Sequence, residues 1–328
     1  MTEDSTTPLI SVIIPCYNQG RFLADAVESV LAQDYPAVEV IVVNDGSTDN
    51  TAEVAAALVP RIQYIEQENR GVCVARNAGL LASRGKWLLF LDADDFLVPG
   101  VLRRIITAAQ SEPDRDVFLG QWHFANEAGE IVDGDRPYPD EEDPFHSMLG
   151  GNWAPVFAFF LRRECFARAG IWPAGLTHME EWDLWLRIAA AGCRFRYLEF
   201  PFAAYRRHGV TATAHFDRLV RGGRTVLRRA TLHARCAACR TRVRQGRWHI
   251  ADYSAVTALW PQMKRLWSDG KYVATANTAV RAAILEPRII VRGAYYFLRW
   301  GKRRLLGRRA QGSSGACESA GTGTGEKT

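Results

Sequence analysis

The chain has few cysteines, and they follow no framework spacing. Seven are scattered over 328 residues, which excludes a disulfide-stapled secreted domain and points to reduced thiols. Cys236 and Cys239 form a CxxC. No second pair and no histidine at finger spacing follows, so it reads as chance spacing on an arginine-rich helix rather than as zinc. No apolar run is long and uncharged enough to span a bilayer. The opening MTEDSTTP is polar and acidic, unlike a signal peptide, and the LISVIIP that follows it is strand-length. No GxGxxG follows the first apolar run. The stretch from Gly79 to Gly85-Lys86 is one residue too long for a P-loop, and Trp87 stands where Ser or Thr is needed. These absences argue against a dehydrogenase and a P-loop kinase and predict a cytoplasmic globular protein without internal repeats.

Charge divides the chain. Residues 1–214 hold 18 Lys and Arg against 30 Asp and Glu, whereas residues 215–310 hold 22 against 4. An acidic body with a basic extension predicts attraction to an anionic surface. The expected organisation is a polar tail over 1–8, a body over 9–214, a basic helical extension over 215–310 and a disordered small-residue tail over 311–328. The helices of the extension carry apolar stripes such as Ile289, Ile290, Tyr296 and Phe297.

In the body, Leu9–Ile14 and Val38–Val43 are β-branched runs with no polar alternation, which predicts strands buried on both faces. Ile62–Ile65 and Trp87–Leu91 extend the series. Between them, Phe22, Ala26 and Val30, then Ala52–Leu58 and Val72–Leu81, predict helices, the second capped by Ser47 or Thr48. Strands alternating with helices predict βαβ units around a mostly parallel sheet, with ligands off the carboxyl ends of the strands. Asn18, Asp45 and Asp92 fall there.

From Asp116 the pattern is mixed. Val117–Phe124, Val156–Leu161, Phe195–Leu198 and Phe202–Tyr205 read as strands, Glu180–Ala191 as a helix and Gly129–Asp143 as a mobile loop. Trp122, Trp153, Trp172, Trp182 and Trp185 read as core, with one or two as a platform for a sugar face. The fourth strand of the body runs into FLDADDFL (Phe90–Leu97), where Asp92, Asp94 and Asp95 cluster. Like charges this close raise one another's pKa, and a hard divalent cation would neutralise them. Asp45 could accept hydrogen bonds from a base or ribose, or cap a helix. Arg76 could reach a phosphate, or form a surface ion pair.

SVIIPCYN (Ser11–Asn18), VIVVNDGSTDNT (Val40–Thr51), NRGVCVARNAGL (Asn69–Leu80), GKWLLFLDADD (Gly85–Asp95), EEWDLWLRIA (Glu180–Ala189) and YRRH (Tyr205–His208) occur in this order. Together they resemble the family 2 glycosyltransferases over about residues 9–210. The resemblance implies a GT-A fold, with residues 9–115 as the nucleotide-sugar half and 116–214 as the acceptor half. It also implies a nucleotide-diphosphate sugar donor, a divalent metal (Mn²⁺ or Mg²⁺) and inversion at the anomeric carbon. Pro15, Tyr17 and Asp45 match the family's nucleoside contacts, and Arg76 lies in its donor-binding segment. Asp92 and Asp94 match the DXD pair, Asp94 as main metal ligand and Asp92 as a ribose or metal contact. His208 matches the late histidine near metal and diphosphate. The family's Glu-Asp-x-Asp is here Glu180-Glu181-Trp182-Asp183, so Glu181 stands in the place of the base, with Glu180 and Asp183 as rivals or supports.

The expected acceptor is a sugar or lipid-linked hydroxyl in cell-surface polysaccharide, lipopolysaccharide or glycolipid assembly. The basic extension would add peripheral binding to an anionic inner membrane face rather than to nucleic acid. Two other readings are a degenerate GT-A domain with a basic binding tail and a sugar-phosphate nucleotidyltransferase. Against the latter, PCYNQG stands where a glycine- and Arg/Lys-rich phosphate loop belongs.

Overall fold

The computed structural model describes residues 7–133, 142–152, 154–208, 215–234 and 236–290. Residues 1–6 of the first tail, the tail over 311–328, Trp153, Tyr296 and Phe297 lie outside the described residues. The chain opens with β1 (Ile10–Cys16), α1 (Gly20–Leu31), β2 (Val38–Asp45), α2 (Thr51–Leu58), β3 (Gln63–Gln67), α3 (Val72–Ala82) and β4 (Trp87–Phe90). All of β1 and β4 and six residues of β2 are buried, as their unbroken apolar runs require. These four strands pair in parallel in the order β3-β2-β1-β4. Helix α3 sits close on this sheet because Gly79, lacking a Cβ, lets its backbone meet the Ile13 side chain.

The second half comprises β5 (Phe96–Leu97), α4 (Val101–Ser111), β6 (Val117–Ala125), β7 (Ile131–Asp133), α5 (Pro144–Leu149), β8 (Phe159–Arg162), α6 (Glu164–Ala169), α7 (Glu180–Ala190) and β9 (Phe195–Arg206). The sheet continues β4-β8-β6-β9-β5, with β7 beside β6. Here the pairing is antiparallel except for β6 with β9, so "mostly parallel" describes only the first half. Three other expectations change. The strand read over Val156–Leu161 begins as a 3₁₀ turn, Val156–Ala158. The pieces read at Phe195–Leu198 and Phe202–Tyr205 are one strand, whose register against β6 slips on either side of Gln121. Part of the loop read over Gly129–Asp143 is strand β7; residues 134–141 lie outside the described residues. Trp122, Trp172, Trp182 and Trp185 are all core, which removes them as an exposed sugar platform.

Then come α8 (Phe216–Ala230), α9 (Ala237–Ser254), a π-helical turn Ala255–Leu259, α10 (Trp260–Ser268) and α11 (Tyr272–Leu285). The chain divides into two compact units, residues 1–262 and 263–328. The boundary read at 214/215 therefore falls inside the first unit, where α8 and α9 pack on the body. Gly222 of α8 lies against the His178 backbone, Gly223 against Ile250 of α9, and Arg229 Nε reaches Asp183 Oδ1 of α7 at 3.1 Å.

Candidate active site

The site lies off the carboxyl ends of β1, β2 and β4. Pro15 is buried in β1, and Tyr17 just beyond is 48% exposed. Asn18 has a left-handed backbone, φ 53°, which asparagine tolerates better than most residues. Its Oδ1 accepts the Thr48 N–H at 2.7 Å, and its own N–H donates to Ser47 Oγ at 2.9 Å. Ser47 and Thr48 thus tie the loop after β2 to that after β1 and do not cap α2. Asp49 serves that end instead, its Oδ1 accepting the Thr51 N–H at 3.0 Å. Asp45 is buried and does not cap a helix in the ordinary sense. It accepts from Gln67 Nε2 (2.7 Å), the Arg70 N–H (2.9 Å) and the Gly71 N–H (2.8 Å), which fixes the loop leading into α3.

Arg76 is neither a surface ion pair nor an open phosphate ligand. It is 3% exposed, with Nη2 donating to Asp92 Oδ1 at 2.9 Å and Nη1 to Glu180 Oε1 at 3.0 Å. Its guanidinium also lies 4.7 Å from the Trp172 ring centroid. Burial opposes its charge, but Asp92, Glu180 and Glu181 outweigh burial and hold its pKa above the usual value. Burial raises the Asp92 carboxyl, against the pull of Arg76. This buried cation joins three motifs far apart in sequence: α3, the DXD turn and the start of α7.

Asp94 Oδ2 meets His208 Nε2 at 2.8 Å, with the His208 side chain almost fully buried and Asp94 a quarter exposed. Asp95 plays no such part. It is buried, its Oδ1 accepts the Arg206 N–H at 2.9 Å, and burial, then Asp94 and Asp92, raise its pKa well above the carboxylate range. Arg206 clamps the turn from below, donating from Nε to the Asp94 carbonyl (3.0 Å), from Nη1 to the Glu127 carbonyl (3.0 Å) and from Nη2 to Asp25 Oδ2 (2.9 Å). Asp94 and His208 bring a carboxylate and an imidazole together, donor types that suit Mn²⁺ or Mg²⁺, while Asp92 is engaged by Arg76 and its oxygens do not gather with theirs within 4.8 Å. His208 Nδ1 is buried with no hydrogen-bond partner among the described residues, a cost tolerated where a side chain serves a ligand.

On α7 the three acids separate. Met179, just before the helix, has a left-handed backbone, φ 63°; such strain gathers at functional sites. Glu180 is taken by Arg76. Asp183 is buried and held by Arg187 Nε at 2.9 Å and Arg229 Nε at 3.1 Å, so the structure gives it a packing partnership. Glu181 has no ion pair among the described residues; its Oε1 accepts a long hydrogen bond from Asn152 Nδ2, 3.4 Å. Burial, then the charge of Glu180, pushes its pKa up to about 8. Tyr253 of α9 lies close enough that burial and these two glutamates raise its own pKa. Tyr205 packs edge-on against Phe124. Asn152, Arg206 and Tyr253 were not picked out from the sequence. Only Arg206 left a signal, within YRRH.

A mixed sheet with acids at its strand ends, an acidic turn after β4 and a carboxylate at the start of a facing helix make up a fold of the GT-A type. Residues 11–168, just under half of the chain, match the model for glycosyl transferase family 2. An uncharacterized glycosyltransferase of Rickettsia prowazekii is 29% identical over 57% of this chain and 61% of its own length. Glycosyltransferase GlyG of Streptococcus pneumoniae is 36% identical over 37% of this chain and 41% of its own. The chain thus spans less than two thirds of these relatives.

Among solved structures, Staphylococcus aureus TarS 1–349 in complex with UDP-GlcNAc superposes with TM-score 0.55 at 19% identity, covering 75% of this chain and 71% of that one. A mannosyltransferase of Pyrobaculum calidifontis in complex with GDP-Man and Mn²⁺ gives 0.55 at 17% identity, covering 86% and 82%. These likenesses show the fold.

Replacing Arg76 by methionine keeps the side-chain volume but strands Asp92 and Glu180 without their cation. Breaking a buried pair costs about 3–5 kcal/mol, which for a domain of this size lowers Tm by roughly 10 °C. The loss should shrink as pH falls. Without the cation the Asp92 carboxyl, which burial raises against the pull of Arg76, rises further, so protonation removes its unpaired charge. Thermal melts of Arg76→Met from neutral to acid pH measure this; a deficit that does not shrink toward acid would contradict the pairing.

Proposed function

We propose that this protein is a metal-dependent, inverting glycosyltransferase that moves a sugar from a nucleoside-diphosphate donor to an acceptor hydroxyl. The observation that carries the reading is the linkage of Asp94 with His208 and of Asp92 through Arg76 to Glu180, which fastens the DXD turn to the helix bearing Glu181. Tyr17 offers an exposed ring for the nucleoside beside buried Pro15, and Asp45 holds the loop that borders it. Asp94 and His208, with Asp92 beside them, would hold Mn²⁺ or Mg²⁺, which stabilises negative charge on a leaving diphosphate. Glu181 accepts the acceptor's proton. Its raised pKa makes it a stronger base than an ordinary carboxylate once ionised. A single base on the side opposite the leaving group is the arrangement that supports inversion.

Thermal shift with UDP-, GDP- and dTDP-sugars, with and without Mn²⁺, tests this. A bound donor at 100 times its Kd stabilises by about 2.7 kcal/mol. One donor should raise Tm only with metal, and that donor should be slowly hydrolysed. If no donor shifts Tm and none is hydrolysed, the reading fails.

We further propose peripheral attachment to an anionic membrane surface and a lipid-linked acceptor. No helix among the described residues is long and apolar enough to cross a membrane. In the second unit, Trp267, Tyr272, Val273, Val280, Ile284 and Ile290 are exposed, on a region whose residues 215–310 hold 22 Lys and Arg against 4 Asp and Glu. Apolar side chains entering the interface while basic ones meet headgroups give salt-sensitive binding, about 1 kcal/mol per basic residue near the surface. The protein should sediment with phosphatidylserine-containing vesicles at low salt and be released at high salt. Failure to sediment at low salt would remove this part of the proposal.

A further inference from the structure

A second constellation lies apart from the donor site. His146 of α5 and Cys236 and Cys239 at the start of α9 bring their ligand atoms within 4.8 Å of one another. His146 Nε2 is 2.9 Å from Cys236 Sγ and 3.2 Å from Cys239 Sγ, and the two sulfurs are 3.1 Å apart. Both thiols are free. The CxxC that read as chance spacing therefore has its histidine, supplied from 90 residues earlier in the chain, where no local spacing rule would find it.

We propose that His146, Cys236 and Cys239 bind a zinc ion that clips α5 to the start of α9. The donors select the metal: two thiolates and an imidazole suit zinc, whereas Mg²⁺ and Mn²⁺ prefer oxygen. The histidine is already oriented. Its Nδ1 lies 2.8 Å from an Asp143 carboxylate oxygen, which accepts the Nδ1 proton and leaves the Nε2 lone pair facing the sulfurs, as a ligating histidine requires. Asp143 is itself fixed as the N-cap of α5.

The cysteines are prepared as well. Cys236 caps α9, and the Cys239 N–H donates to its sulfur at 3.3 Å. Cys236 is exposed, so a fourth position opens to water.

The clip would steady the acceptor side. The α5 carbonyl of Met148 accepts the Trp182 Nε1–H at 2.7 Å, and four residues on, Asn152 reaches Glu181.

The test is metal analysis of the reduced full-length protein by native mass spectrometry after equilibration with zinc, with cobalt titration followed in the visible region. Wild type and Asp94→Asn should each retain one zinc per chain, and cobalt should give the intense spectrum of a tetrahedral thiolate site. Cys236→Ser/Cys239→Ser should lose the zinc, and Asp143→Asn should bind it about 10–100-fold more weakly. Should the double variant fail to fold, the cobalt spectrum of wild type decides alone. No zinc or cobalt uptake by reduced wild type overturns the proposal. So does zinc kept by the double variant, or a Cys236–Cys239 disulfide persisting in a cytosol-like glutathione buffer, which would mark a redox pair.

Discussion

Asp94→Asn is expected to abolish Mn²⁺-dependent turnover while leaving the fold intact. The substitution preserves shape and removes the charge that a hard cation needs. Asp94 is partly exposed and has no ion pair with an arginine among the described residues; its side chain meets His208 Nε2 at 2.8 Å and Gln19 Nε2 at 3.4 Å. Asparagine can still bond to both, so Tm should move little. Turnover is another matter. Lewis-acid stabilisation of a leaving group contributes several kcal/mol, so kcat should fall on the order of 10³-fold or more. Donor binding should lose its response to Mn²⁺ at the same time. Calorimetry with and without metal, beside steady-state rates, measures both. An Asn variant with normal metal-dependent turnover would place the metal elsewhere. Asp95→Asn is the control. Its carboxyl is buried and accepts the Arg206 N–H, and burial with its acidic neighbours already disfavours its charge, so neutralising it should leave metal dependence unchanged.

The parts of the site that were legible in the sequence are those written in local pattern. Strands β1, β2 and β4 announce themselves because burial on both faces demands uninterrupted β-branched or large apolar residues. Helices α3 and α7 show because their apolar residues recur at helical spacing. The acidic turn Asp92–Asp95 shows because charge directly follows a buried strand. What stayed hidden depends on tertiary pairing. Arg76 and Glu180 are 104 residues apart, and no local signal separates a buried bridging arginine from a phosphate ligand. His146 and the CxxC pair lie 90 and 93 residues apart. The run VFAFFL reads as strand throughout, since an apolar run does not reveal where a 3₁₀ turn gives way to extended chain. Composition misplaced the domain boundary. Helices α8 and α9 differ from the body in charge, yet an arginine-rich helix with buried Leu219, Val220, Val226 and Leu227 can still pack on an acidic partner, as Arg229 does on Asp183.

Glu181→Gln is expected to lower kcat by roughly 10²–10⁴, the usual scale for a general base, with donor and metal affinity nearly unchanged. Successive helix positions point about 100° apart, so Glu180 and Glu181 cannot share one direction, and the structure shows Glu180 turned to Arg76. The raised pKa of Glu181 adds two signatures. In the free enzyme the base must lose its proton, so kcat/KM should rise with pH toward about 8, and the Gln variant should lack that limb. Stability should run the opposite way. A carboxyl whose folded-state pKa lies above its unfolded value binds more protons when folded, so stability falls as pH rises from the ordinary carboxylate range through about 8. Gln cannot ionise, so the variant should match or exceed wild-type Tm above pH 8 while remaining inactive. Glu181→Asp shortens the side chain by one methylene, about 1.5 Å, and should be the milder change, with the acid limb retained. Glu180→Gln should instead lower Tm by weakening the hold on Arg76 and keep an acid limb displaced to lower pH, because the Glu180 charge helps to raise the Glu181 carboxyl. If Glu181→Gln transfers sugar at the wild-type rate and Glu180→Gln is inactive with a normal Tm, the base is Glu180, and the Arg76 pairing is a resting arrangement that substrate binding must break.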